Sequence, residues 1–435
     1  MKIARSNGEG LIFVVLVFFS ILALLWVFRI PVPTQSPNPW SHFNPDEWSH
    51  IAYIDYMAKY KTFPPFIPKY SAPSFQQPYY YLIVSPIYFL IKTLSNYIIA
   101  VYVLCIFSVF CGLGIIFLSY KTVRLITNKT NIALMTAFIV SSVPFFIPLS
   151  AAVGNEILSA FFATFTLYLL IKSYKLKLKE SEIYLLFFIT ALSIGTKLTT
   201  IGLFPILILV LWILGRKFGI SLRKRVKYIF FACGLQFIIS GWWFALNKIY
   251  YGDALKTAVI DKIWGKIQPG FSEWSAKYST SAFEYLYLVF RIGWYSFWGF
   301  FNALRQPFPK SIYIIISLFI FLGLFGFILK KKRVNPVILI IFIGYSVSVL
   351  LIYFSYNWIR FSPQGRYLFS SLLPFGFIIA TGWTVFKPKW VNLISYSYIF
   401  LMVTINICSV IYFPGHINSV YMNPIFYIRM TYKVN

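Results

Sequence analysis

The strongest constraint on this chain is its recurring, unbroken apolar runs. Residues 11–28 read LIFVVLVFFSILALLWVF, without one charged side chain. A helix rising about 1.5 Å per residue needs roughly 20 such residues to cross the hydrocarbon core of a bilayer. Similar runs recur along the whole chain. In hydrocarbon every backbone N–H and C=O needs a partner, which leaves helices or a closed barrel. Barrel strands alternate apolar and polar over segments of about ten residues, and these runs do not alternate. The sequence therefore reads as an all-α, polytopic helical membrane protein. Its 59% hydrophobic and 11% charged content fits no soluble domain.

Eleven spans are expected, near 11–30, 97–119, 131–149, 157–173, 183–195, 200–214, 228–249, 311–329, 336–355, 366–386 and 391–412. The N-terminal run lacks a small-residue cleavage site and reads as an uncleaved first span. Residues 79–93, YYYLIVSPIYFLIKT, are too short for a comfortable crossing and carry Pro86. Taken as an interfacial helix, they place the basic clusters at 121–129, 172–179, 216–227 and 330–333 in the cytoplasm, as the positive-inside rule requires. Taken as a span, they move all four outside. The first assignment puts the N-terminus inside and the long loops 31–96 and 250–310 outside. Eight of the 11 acidic residues then gather on the outer face: Asp46, Glu47, Asp55, Glu156, Asp253, Asp261, Glu273 and Glu284.

The net charge of +28 would point a soluble chain toward nucleic acid. Here Lys and Arg cluster in short loops, where they set topology and meet lipid headgroups, so nucleic acid is excluded as a partner. Cys105, Cys111, Cys233 and Cys408 all fall inside apolar runs and form no CxxC pair, so neither a zinc site nor a disulfide framework is indicated.

The candidate chemistry lies in short polar interruptions. HFNPDEWSH, residues 42–50, sets two acids beside two of the chain's three histidines. Asn44 suits an N-cap and Pro45 a first turn. The following residues read as an amphipathic helix along the outer surface, where Asp46, Glu47 and His50 share a face. Acids in a first turn also suit the helix dipole, which gives them a purely structural reading. FQQPYYYL offers amides at Gln76 and Gln77 and flat rings at Tyr79 and Tyr80 for a polar ligand, or an aromatic belt. Glu156 opens a span after Val153-Gly154-Asn155, and an ionisable residue at that depth is a functional candidate. Lys197, in Gly195-Thr196-Lys197, is placed to pair with such an acid or to hold a phosphate. YYGDAL brings Asp253, and RIGWYSFWG brings Trp298, whose aromatics suit an interface or a carbohydrate. Arg360 and Arg366, in RFSPQGRY, are basic residues on the outer face and suit phosphate; snorkelling is their bland reading.

In series these motifs resemble the GT-C superfamily of membrane glycosyltransferases. PDEWSH is similar to its first-loop acidic motif, QQPYYYL to its proline-tyrosine motif, and GNEILSAFFATFTLYLL to the acid at the outer end of a later span. GTKLTTIGLFP, YYGDAL, SFWGFFN and QGRYLFSSLLP resemble a prokaryotic branch mostly without an assigned substrate. The resemblance implies transfer of a sugar, with inversion, from a polyprenyl-phosphate donor to a glycan, lipid or protein acceptor on the extracytoplasmic face of a prokaryotic cytoplasmic membrane. It implies Asp46 as general base, with Glu47, His50 and Glu156 as further catalytic candidates. Lys197, Arg360 and Arg366 are then implied for the donor phosphate, and Gln76, Gln77, Tyr79, Tyr80, Asp253 and Trp298 for substrate. Asp46 and Glu47 are also the candidates for a divalent cation, Mg or Mn. Residues 1–250 would form the catalytic module, and 251–435 the second outer loop with the C-terminal helices. One departure is Gln77, which stands where the superfamily has a histidine. A transporter or flippase of lipid-linked glycans, and a polymerase or ligase using lipid-diphosphate donors, are the competing readings; the first should show paired broken helices or repeats.

Overall fold

A computed structural model describes residues 3–30, 44, 46–65, 76–177, 179–255, 260, 268–301, 306–330 and 334–416. The long apolar runs form α1 (Ile3–Arg29), α4 (Tyr97–Thr127), α7 (Asn155–Lys175), α9 (Leu203–Lys217), α10 (Leu222–Tyr251), α13 (Lys310–Lys330), α14 (Pro336–Ile359) and α16 (Pro388–Tyr412). Each of these eight, α9 together with the turn before it, is long and apolar enough to cross a membrane. The chain is an all-α integral membrane protein, and the only pairing of extended backbone among the described residues is a two-residue bridge of Phe300 and Phe301 with Gln306 and Pro307.

The other three expected spans are shorter or broken. Residues 131–149 divide into α5 (Thr130–Ser141) and α6 (Phe146–Ser150), because Pro144 has no N–H to continue the helix and disfavours helical backbone before it. Residues 183–195 lie in α8 (Glu180–Thr196), whose start is capped by the Glu182 carboxylate. Residues 366–386 begin as a 3₁₀ turn, Gly365–Ser371, and continue as α15 (Leu372–Trp383).

The polar loops carry shorter helices. In α2 (Glu47–Tyr60), Glu47, His50, Ile51, Ile54, Met57 and Ala58 are buried, a stripe at three- and four-residue spacing. It packs on α3 (Tyr79–Leu94), and Asp55 is held there by Lys92 at 2.5 Å and Tyr88 at 2.8 Å. α3 is one 16-residue helix with Pro86 inside it. In the second loop, α11 (Phe271–Tyr278) precedes α12 (Ala282–Gly299). Asp261 lies outside the described residues, as do Pro45 and Phe75.

The core helices approach closely where side chains are missing. A Cβ on Gly382 of α15 would stand 1.8 Å from the Gly323 carbonyl of α13, the small-residue contact by which membrane helices pack without a hydrophobic driving force. The 3₁₀ turn Gly365–Ser371 is seated among α7, α12 and α14, and this seat positions the site.

Candidate active site

Three stretches far apart in sequence meet at the start of α2. The N-cap of α2 is Asp46, not Asn44 as expected. Asp46 holds φ 63° and ψ 1°, and its side chain makes no cap hydrogen bond. This left-handed backbone is costly for a residue with a Cβ and is kept only by its surroundings. The carboxylate instead accepts a hydrogen bond from Arg366 Nη2, across 320 residues of sequence. Asn44 is used elsewhere, donating to Glu47 Oε2 at 3.1 Å.

Arg366 arrives through Gly365. A Cβ at that position would lie 2.2 Å from the Phe297 backbone N, and the Gly365 N–H donates to Ser296 Oγ at 2.7 Å. Backbone cannot yield as a flexible side chain can, so Gly365→Ala should cost about 2 kcal/mol or more and displace Arg366. A thermal melt of the detergent-solubilised variant checks this; an unchanged melting temperature contradicts it.

Glu156 stands in the first turn of α7, where a helix dipole favours an anion. Lys197 is the C-cap of α8, where the dipole favours a cation. The two ends adjoin, and Lys197 Nζ lies 2.6 Å from Glu156 Oε1. Arg366 Nη1 reaches the same oxygen at 3.1 Å. Two acids and two bases thus form one cluster. The side chains of Arg366, Glu156 and Lys197 are 2%, 5% and 12% exposed, whereas that of Asp46 is 54% exposed. Three charges are walled in, and one faces outward.

Neighbouring amides lock this cluster to the backbone. Asn155 Nδ2 donates to Gln76 Oε1 at 2.5 Å, and Lys197 reaches Asn155 Oδ1 at 3.4 Å. Gln77 is buried and accepts the Leu198 N–H at 3.1 Å. Both glutamines thus brace α7 and the turn after α8. Tyr79 lies against Gly195, where a Cβ would meet its ring at 2.8 Å. Tyr80 is fully buried. Arg360 is buried beside the cluster and hydrogen-bonds Tyr356, whose ring meets that of Tyr367. Lys197 Nζ and the Arg366 guanidinium both lie over the Tyr367 ring, at 5.2 and 5.4 Å.

Two expected substrate contacts have other local partners. Trp298 is fully buried among Trp294, Phe297 and Phe375 and packs as core. Asp253 accepts the Leu255 N–H at 3.0 Å, in the turn after α10. Asn155 and Tyr81 were missed. Tyr81 hydrogen-bonds His50 Nδ1 at 2.8 Å and stacks on Tyr53 with centroids 3.7 Å apart.

Glu47 and Asp46 do not form a shared cation site. Glu47 Oε1 accepts the Val153 N–H at 2.8 Å and Oε2 accepts from Asn44, while Asp46 faces Arg366. Asp46 precedes the helix in left-handed backbone, out of helical register with Glu47. No group of three or more His, Cys, Asp or Glu among the described residues is arranged to hold a metal ion. Asp46 and Glu47, the residues expected to hold Mg or Mn, thus turn to separate partners.

Burial also sets two protonation equilibria. It pushes the Glu47 carboxyl up to about 7, against the two donors that favour its charged form. It pushes His50 down to about 4, despite the nearby acids, and Nε2 of this neutral imidazole has no hydrogen-bond partner among the described residues. The folded protein therefore keeps a proton on Glu47 that the unfolded chain gives up between pH 4.5 and about 7, so Glu47 destabilises progressively as pH rises through that window. Between pH 6.5 and about 4 the unfolded chain protonates a histidine that the folded protein leaves neutral, so His50 destabilises as pH falls. Glu47→Gln should remove the alkaline-side loss and His50→Gln the acid-side loss, each on the order of 1–3 kcal/mol. Melting temperatures at pH 4, 5.5 and 7.5 check both signs.

A family model described as dolichyl-phosphate-mannose-protein mannosyltransferase matches residues 11–250, more than half of the chain. The chain belongs to this family. It is a polytopic membrane glycosyltransferase of the GT-C class. The matched stretch holds Asp46, Glu47, His50, Gln76, Gln77, Glu156 and Lys197, and ends before Arg360 and Arg366. Only the fold brings Arg366 to this GT-C cluster. Solved structures share that fold. ArnT from Cupriavidus metallidurans bound to undecaprenyl phosphate superposes with a TM-score of 0.55 and 14% identity, covering 96% of this chain and 68% of that one. Its apo state gives 0.55 and 15%, covering 95% and 67%. The Archaeoglobus fulgidus oligosaccharyltransferase tethered with an acceptor peptide gives 0.50 and 14%, covering 93% of this chain and 54% of that one. No curated protein matches the chain in sequence.

Proposed function

We propose that this glycosyltransferase moves one sugar from a polyprenyl-phosphate donor to an acceptor on the extracytoplasmic face, with inversion. The carrying observation is the outward Asp46 carboxylate set directly on the buried cations that Glu156 holds together. A leaving lipid phosphate needs cations, and an attacking hydroxyl needs a base. In the step, the acceptor oxygen bonds to the anomeric carbon and its proton passes to Asp46. The bond from that carbon to the phosphate oxygen breaks, and its electron pair stays on the carrier phosphate beside Arg366 and Lys197. Glu156 holds these two cations in place, with Arg360 behind them through Tyr356. Two observations support the reading from outside the chain: ArnT, which shares the fold, is described bound to undecaprenyl phosphate, and the oligosaccharyltransferase with an acceptor peptide. The positive-inside distribution of Lys and Arg supports the outward side.

Donor class is tested with purified protein and labelled polyprenyl-phosphate or polyprenyl-diphosphate sugars. Mass analysis of the product should show a single sugar added, from the monophosphate donor. A whole oligosaccharide transferred from the diphosphate donor would favour the ligase reading.

A further inference from the structure

The cluster has a feature that a plain base-plus-cation reading leaves unused: the base is bonded to the cation. Arg366 presents a planar fork of N–H groups. One arm, Nη1, is on Glu156, which also takes Lys197. The other, Nη2, is on Asp46. Arg366 is almost wholly enclosed and Asp46 is half open, so Asp46 is the lid on the outward arm. An anion arriving from outside meets Asp46 before it meets Arg366.

Charge supports an exchange. Asp46 and Glu156 balance Arg366 and Lys197. A sugar linked to a carrier through phosphate is a phosphodiester with one negative charge. Put in place of Asp46 on Arg366, it restores the same balance. Glu156 is too enclosed to be the partner displaced, and losing it would leave two buried cations sharing a vacated oxygen position. While Arg366 donates to Asp46 Oδ2, that oxygen is not open to an acceptor hydroxyl.

We propose that Arg366 serves two anions in turn: arrival of the carrier phosphate displaces Asp46 and thereby releases the base, so the donor binds before acceptor deprotonation is possible. This rests on the proposed function and adds an order to it. After transfer, the carrier phosphate departs from Arg366, Asp46 loses the acceptor's proton to water, and the pair closes again. The closed pair keeps the base idle in a protein without donor.

The test is equilibrium binding of undecaprenyl phosphate to the full-length, detergent-purified protein. A competing internal anion weakens apparent affinity by the fraction of protein in the open state. Asp46→Asn should therefore bind the carrier tighter than wild type, by about fivefold or more. That gain should largely vanish in an Arg366→Gln background, because Arg366 is the cation bonded to Asp46. Equal tightening in both backgrounds would mean long-range repulsion and overturn the latch, as would Asp46→Asn binding no tighter than wild type. Should Arg366→Gln fail to fold, Arg366→Lys replaces it: one ammonium cannot bridge Asp46 and Glu156 as a fork does, and the gain from Asp46→Asn should shrink. Wild type and Asp46→Asn both failing to bind the carrier would overturn the functional reading itself, and the latch with it.

Discussion

Glu156→Gln should abolish sugar transfer and sharply lower thermal stability. Lys197 and Arg366 meet on one oxygen of Glu156, at 2.6 and 3.1 Å. Removing that charge leaves two walled-in cations facing each other, with only the half-open Asp46 beside them. Breaking a buried ionic cluster by deleting one partner costs about 3–5 kcal/mol, because a charge is left without compensation. Gln keeps the volume, so packing loss is not the cause. Detergent-solubilised melts would show the drop, and a double variant, Glu156→Gln with Lys197→Met, should recover part of it by removing the excess charge. No drop, or no recovery, contradicts the arrangement of charges described above.

Asp46→Asn should reduce transfer by about 10²–10⁴-fold while leaving the fold intact, the range a positioned general base contributes. Asn has the shape of Asp and still accepts a hydrogen bond from Arg366, but it takes no proton. The side chain is exposed, so its neutralisation should disturb folding far less than that of Glu156. The contrast between the two variants is informative. One should fail through stability and activity together, the other through activity alone. Equal rates for wild type and Asp46→Asn, in membranes given a labelled donor, would remove Asp46 as the base.

Much of this was legible in the sequence, for local reasons. The spans show because apolar length is a one-dimensional property. Asp46, Glu156, Lys197 and Arg366 show because charge is rare in such a chain. Their meeting is another matter. Arg366 and Asp46 are 320 residues apart, and no periodicity links them; only their charge and their expected side of the membrane nominated both. The least legible features are those where one pattern has two physical meanings. Dense aromatics mark an interface, a sugar surface or a core, and Trp298 proved to be core. A carboxylate pair in a first turn resembles a cation site, yet Glu47 turns inward to Val153 and Asp46 outward to Arg366. Gln76 and Gln77 have amides with several uses, and one use is to brace Asn155 and Leu198. Tyr81 was overlooked as one more ring in a tyrosine run, although it alone of the three reaches His50 Nδ1.

The central claim is that this cluster transfers a sugar from a lipid phosphate. It is tested most directly in proteoliposomes loaded with polyprenyl phosphate carrying a labelled sugar, with acceptor supplied outside. The account predicts that label leaves the lipid fraction for the acceptor while free polyprenyl phosphate accumulates in equal amount, with wild type and not with Asp46→Asn. Label that crosses the membrane still attached to its carrier, with no free carrier phosphate formed, would contradict it and make the protein a transporter.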